Sequence, residues 1–198
     1  THTDQRGMLT SEPVQLTLGL FNLKTRNQPH SWRTIGYIPN RVNFPDRLHD
    51  KVKVPDYQDV LRHILKDMVQ LEEHRTMEWD FRFCNASGQV VVYPNVKLVF
   101  FLQLVIQDTE GANKLCARKS GSTNFKCRYY NLPFQDLDEP FFKYKLTKQT
   151  TVARWYNKKK LDLLHGISLH PHPSAFLDFK FGGFVGGTFG STPGELLH

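Results

Sequence analysis

The feature that most constrains this fold is the segment at 96–106, VKLVFFLQLVI, an almost unbroken apolar run. It stops at Gln107-Asp108 and continues as Thr109-Glu110-Gly111-Ala112-Asn113-Lys114-Leu115-Cys116. A run this dense is what a central strand buried on both faces carries, although periodicity does not separate it from a buried helical segment. As a strand it would place Asp108 at the carboxyl edge of a sheet, where open α/β sheets bind ligands. The competing role for Asp108 is to cap the next helix, since Asp, Thr and a following Glu are ordinary N-terminal helix residues.

A glycine-rich stretch, Phe181-Gly182-Gly183-Phe184-Val185-Gly186-Gly187-Thr188-Phe189-Gly190-Ser191, runs into Thr192-Pro193-Gly194-Glu195. Thr followed by Pro predicts a helix start, with Glu195 in its first turn. Near the positive end of a helix a carboxylate is stabilised and can be aimed at a metal; a purely capping role is the alternative.

Between these landmarks the pattern predicts strands over 14–21 and 32–38, joined by a basic turn at 24–29, and a loop over 39–55. Val60, Leu61, Ile64, Leu65, Met68, Val69 and Leu71 recur at helical spacing and predict a helix over 56–75, its charged residues forming a solvated face. A hairpin is expected from 78–84 and 89–93 around Asn85-Ala86-Ser87-Gly88, then a helix from Asp108 to about residue 119. Residues 120–140 are polar and turn-rich and suit an insertion, 149–164 read as a helix ending near Gly166, and 170–192 as loop.

Five motifs stand in series: Glu12-Pro13-x-x-x-Thr17-Leu18-Gly19-x-Phe21-Asn22-x-x-Thr25-Arg26; Trp32-Arg33-x-x-Gly36-Tyr37-Ile38-Pro39-Asn40; Asp108-Thr109-Glu110-Gly111 with Lys114-Leu115-Cys116; Cys127-Arg128-Tyr129; and Thr192-Pro193-Gly194-Glu195-Leu196-Leu197-His198. In this order they resemble the catalytic core of Plavaka-like transposases, in the Kyakuja–Dileera–Zisupton group of DDE-type DNA transposases, over nearly the whole chain. The resemblance implies one α/β domain over 1–198, a ribonuclease-H-like mixed sheet flanked by helices with a loop-rich insertion after the second acid. It also implies three acidic residues holding two Mg²⁺ or Mn²⁺ ions about 4 Å apart for phosphodiester cleavage and strand transfer. Asp108 matches the second acid and Glu195 the third. The first is either an Asp ahead of Thr1-His2-Thr3-Asp4 or Asp4 itself.

Two positions depart from the family pattern. Tyr130 stands where a Cys would complete a Cys-x-x-Cys from Cys127, and a phenol does not replace a thiolate on zinc. Cys116, His165, His170 and His172 are the remaining candidate ligands, and zinc is not expected. Asn113 stands where an acid is expected.

Lys and Arg outnumber Asp and Glu by 26 to 19, and the net charge of +7 suits a polyanionic partner. Lys24, Arg26 and Arg33, on or beside the turn between two strands, are candidate backbone-phosphate contacts. Arg154, Lys158, Lys159 and Lys160, with Trp155, form a basic helical patch that either touches phosphates or is simply solvated. Three cysteines argue against a disulfide framework and for a reducing compartment. No apolar run reaches about 18 residues and no signal pattern opens the chain, so a membrane partner and export are not expected. The resemblance implies a DNA partner and a nuclear location, with an oligomer conceivable for a full-length protein. The function expected is a transposase core, active or a remnant. The alternatives are a non-catalytic nucleic-acid-binding module on the same scaffold and an unrelated nuclease or structural domain.

Overall fold

The computed structural model describes residues 2–3, 10–44, 47–74, 76–107, 109–119, 130, 134–136 and 145–191. These form a mixed α/β structure of small antiparallel sheets and helices. Strands β1 (His2–Thr3), β2 (Thr10–Leu16) and β3 (Arg33–Pro39) pair antiparallel in chain order. The β2–β3 register runs from Ser11 opposite Pro39 to Leu16 opposite Arg33, with a bulge between Val14 and Gln15.

The strand expected over 14–21 stops at Leu16, because the chain reverses at Gly19 and Asn22 starts a helix. Phe21 N–H donates to Leu18 O, and the Asn22 side chain accepts from Thr25 N at 2.9 Å to cap α1 (Leu23–Arg26). The loop expected over 39–55 instead holds a second hairpin, β4 (Arg41–Phe44) with β5 (Arg47–Lys51).

Helix α2 (Val54–His74) follows the predicted spacing closely. Asp56 accepts from Lys53 N, satisfying one donor at the helix start. Its inner face buries Tyr57, Leu61 and Leu65 beneath β3, each contributing roughly 1.5–3 kcal/mol of transfer free energy. A Cβ at position 36 would lie 2.7 Å from Ile64, so glycine is what lets β3 approach the helix this closely.

Strands β6 (Met77–Cys84) and β7 (Val90–Leu98) form the expected hairpin. Its turn is closed by Gly88 N to Asn85 O and by the Asn85 side chain accepting from Ser87 N and Gln89 N. The central strand expected over 96–106 is not formed: β7 ends at Leu98, and 99–107 continue outside any strand. Leu102 and Val105 reach the core, but Val99 is 65% and Ile106 72% exposed. The burial on two faces that an apolar run usually signals is therefore missing.

Helix α3 (Thr109–Leu115) is shorter than predicted, and the helix expected over 149–164 is two, α4 (Gln149–Asn157) and α5 (Leu161–Gly166). All three end alike. After α3, Arg118 N bonds Asn113 O and Ala117 N bonds Lys114 O; after α4, Lys160 N bonds Trp155 O and Lys159 N bonds Tyr156 O; after α5, Leu169 N bonds Leu164 O and Ser168 N bonds His165 O. These are Schellman closures with Ala117, Lys159 and Ser168 at positive φ, the place glycine usually takes. The final stretch, expected to be loop, winds through single 3-10 turns at Ala175–Asp178 and Phe181–Gly183 and a last helical turn, α6 (Thr188–Ser191). Of the expected insertion, Tyr130 bridges Leu146 and Phe134–Asp136 form a 3-10 turn.

Two clusters form the core. One joins Ile38, α2, Leu115 and Phe176, Phe179 and Phe181; the other joins Cys116, Val152, Leu164, Leu169 and Phe189. None of the described helices is long and apolar enough to cross a membrane.

Candidate functional site

The candidate acids Asp4, Asp108 and Glu195, and Cys127, lie outside the described residues. Thr3, Gln107 and Thr109, which adjoin Asp4 and Asp108, are described, and the described residue nearest Glu195 is Ser191. Val105 N, three residues before Asp108, donates to Ser191 O, four residues before Glu195, at 2.8 Å. Thr3, next to Asp4, pairs with Thr10 on β2; two positions along that strand, Glu12 forms a 3.8 Å ion pair with Lys114 of α3, the helix that begins one residue after Asp108. The ion pair is substantially exposed and worth little as stabilisation, but it fixes which element faces which. Behind it, Lys114 Nζ sits 4.1 Å over the Tyr57 ring, and Val14, Leu102 and Val105 pack on one core.

The basic candidates divide into two groups. Lys24 and Arg26 lie in α1 and Arg33 opens β3. Lys24 is exposed, whereas Arg26 is half-buried, with its Nε buried and unbonded among the described residues. The Arg33 guanidinium folds back onto His30 O and Trp32 O at 2.6 and 3.1 Å, and Trp32 Nε1 donates to Arg26 O, so this arginine braces its own turn. Arg154 is exposed on α4. Lys158, Lys159 and Lys160 are exposed too, but they form the turn between α4 and α5 and not the continuous helical patch expected, because Lys159 adopts φ 52° and ends the helix.

Cys116, His170 and His172, three of the remaining candidate zinc ligands, make other contacts. Cys116 is buried, with Sγ toward Thr188 O at 3.9 Å. His172 Nε2 lies 3.1 Å from Asp59 Oδ1, and His170 Nδ1 accepts from His172 N, so that nitrogen is unprotonated. Burial, and then the neighbouring His172, Lys119 and His165, lower the His170 pKa. Tyr156 donates to His170 O at 2.7 Å, and burial holds its phenol protonated beyond the usual range. Among the described residues no three His, Cys, Asp or Glu are grouped to hold a metal ion.

Three buried polar side chains were invisible to periodicity and organise the segment leading to Glu195. Gln58 donates to Lys114 O at 2.7 Å and accepts from Ala175 N at 2.8 Å. Gln149 donates to Leu177 O and Phe179 O and accepts from Thr188 N at 2.6 Å and Thr188 Oγ1 at 3.1 Å. Glu72, expected on a solvated face, is 5% exposed and accepts from Lys180 N at 2.6 Å and Gly182 N at 3.5 Å. A side chain at Gly187 would collide with Gln149, which ties the glycine to that network.

Compared with protein-family models, with curated proteins and with solved structures, the chain matches none.

Proposed function

We propose that this chain is the catalytic core of a DDE-type DNA transposase with a ribonuclease-H-like arrangement, acting on DNA in the nucleus. The observation that carries it is the Val105 N to Ser191 O hydrogen bond, which anchors the approaches to Asp108 and Glu195 at one point. From there, neither acid has more than about 14 Å of chain in which to diverge. In this reading β1, β2 and β3 are the antiparallel half of the sheet, residues 99–107 deliver Asp108, and the turns held by Gln149 and Glu72 deliver Glu195.

Asp4, Asp108 and Glu195 would hold two Mg²⁺ or Mn²⁺ ions. Such ions, when bound, activate an attacking water or 3′-hydroxyl and stabilise the leaving oxygen of a phosphodiester. The carboxylates orient the site, while Lys24, Arg154, Lys158, Lys159 and Lys160 offer exposed charge to the DNA backbone without reading its sequence. Arg33 contributes less, since its guanidinium is bonded to His30 O and Trp32 O, and so does Arg26, which is half-buried.

Mn²⁺ titration calorimetry on the wild type, Asp4→Ala, Asp108→Ala and Glu195→Ala tests the proposal. Binding by the wild type that is lost in Asp108→Ala and in Glu195→Ala is the expected result. If the wild type binds no Mn²⁺, the catalytic reading fails and a non-catalytic nucleic-acid-binding module on the same scaffold takes its place.

A further inference from the structure

The β6–β7 hairpin leaves its apolar side chains in the open: Trp79, Phe81 and Phe83 on β6 are 57%, 45% and 41% exposed, and Tyr93 on β7 is 54% exposed. Phe83 stacks on Tyr93 with ring centroids 5.7 Å apart. A two-stranded ribbon on its own is marginal in water, and each strand of this one has an outer edge that no described strand pairs with. The two edges are unlike. On β7, Pro94 has no N–H, and an extra residue relative to β6 forms a bulge at Asn95, whose φ is 54° and whose N–H bonds Asp80 Oδ1 at 3.1 Å. Proline and bulges are how edges are closed to further strands. On β6, the eight residues MEWDFRFC contain no proline or glycine, and at the register shift between Trp79 and Phe81 the extra residue lies on β7.

We propose that the outer edge of β6 pairs antiparallel with β6 of a second copy of this chain, about a two-fold axis at Phe81. The sequence of the strand selects both partner and register. Residues directly opposite in an antiparallel pair share a face, so the aromatic face is continuous only when odd positions meet odd and even meet even. With Phe81 opposite itself, Trp79 faces Phe83, Asp80 faces Arg82 twice over, and Glu78, already 4.0 Å from Lys97 of its own hairpin, faces Cys84. Shifting the axis to Asp80 sets two aspartates against each other, and shifting it to Arg82 sets two arginines together. Only the Phe81 axis pairs opposite charges without a like-charge contact at the centre. The contact is isologous, as a closed dimer requires, and it unites two hairpins in one four-stranded sheet with an unbroken aromatic face. One strand edge is small beside a standard interface of about 800 Å² per partner, so the dimer is concentration-dependent.

Sedimentation equilibrium of the full chain, with a cysteine probe for register, tests this directly. The wild type should show a monomer–dimer equilibrium. Arg82→Glu, which sets acid against acid at both symmetric positions, should weaken it about tenfold or more, and the swap of Asp80→Arg with Arg82→Asp should restore it. Opposite residues in either type of antiparallel pair have Cα atoms about 4.5–5.5 Å apart, within disulfide range. Phe81→Cys in a Cys84→Ser background should therefore cross-link on mild oxidation, while the Cys84→Ser parent should not. A wild type that stays monomeric at all concentrations overturns the proposal, as does a dimer that Arg82→Glu leaves intact or that Phe81→Cys does not link.

Discussion

Residues 168–191 and the β6–β7 hairpin solve opposite halves of the folding problem. The first has little regular secondary structure, yet Ser168, Ser174, Phe176, Phe179, Thr188 and Phe189 are all buried. The second has eight and nine residues of regular strand, and β6 is exposed along its whole length. In the hairpin the backbone satisfies itself through the ladder. In residues 168–191 backbone polar groups are met by side chains from elsewhere, Gln58, Gln149 and Glu72, and by Ser174 of the segment itself, which accepts from Phe176 N, so that burial is possible without helix or strand. Regularity and burial are separate quantities here, and the proposed site depends on the buried, irregular one.

The largest effect should come from Gln149→Leu. It fills the space but abandons Thr188 N, Leu177 O and Phe179 O at once, and at roughly 1–3 kcal/mol per buried unpaired group we expect a loss of about 5 kcal/mol. Urea unfolding measures it; a midpoint near the wild type would mean that the segment does not depend on its side-chain staples. Phe179→Ala should cost about 4 kcal/mol by leaving a cavity between Phe176 and Phe181, whose rings lie 6.0 and 6.1 Å from it. The hairpin counterpart, Phe83→Ala, removes an exposed stacked ring and should cost about 1 kcal/mol or less. Equal losses from the two phenylalanines in the same urea series would erase the contrast between the regions.

The smallest effect is the pH dependence from His170. Its pKa is held below the ordinary 6.5 in the folded chain, by burial first and neighbouring cations second. The unfolded chain then binds the proton more readily, so this contribution to stability is complete above pH 6.5 and is lost as pH falls from there toward the lowered folded value. Melting temperatures between pH 7.5 and 5.5 should fall less steeply for His170→Gln than for the wild type; parallel curves would remove His170 from the account.

Much of the hairpin and of α2 was legible because their signals are local. Trp79, Phe81 and Phe83 alternate with Asp80 and Arg82 up to an Asn85-to-Gly88 turn, and Leu61 and Leu65 recur one helical turn apart. The ends of α2 and α5, at His74 and Gly166, fall where expected, but those of α3 and α4 were not legible. The usual mark is glycine in the left-handed position, whereas α3, α4 and α5 place Ala117, Lys159 and Ser168 there, and Gly166 lies inside α5. The run 96–106 misled for a different reason: apolar density reports burial only when neighbouring elements cover both faces, and at Val99 and Ile106 they do not. Glu72 read as solvated, and the role of Gln149 went unread, because a polar side chain is buried for the sake of backbone groups more than 25 residues away, which no local pattern encodes. Asp108 was nominated by the end of the apolar run and Glu195 by a predicted helix start, and both by the resemblance. The contact between Val105 and Ser191 could not have been anticipated, since it joins segments more than 80 residues apart.

The most direct test of the central claim is Mn²⁺ paramagnetic broadening in ¹⁵N-labelled protein. A cation held by Asp108 and Glu195 should broaden the amides of Val105, Gln107, Thr109 and Ser191 together at substoichiometric Mn²⁺, and Asp108→Ala should abolish the effect. Broadening confined to the neighbourhood of His165, His170 and His172, or none at all, would contradict a two-metal site at these carboxylates.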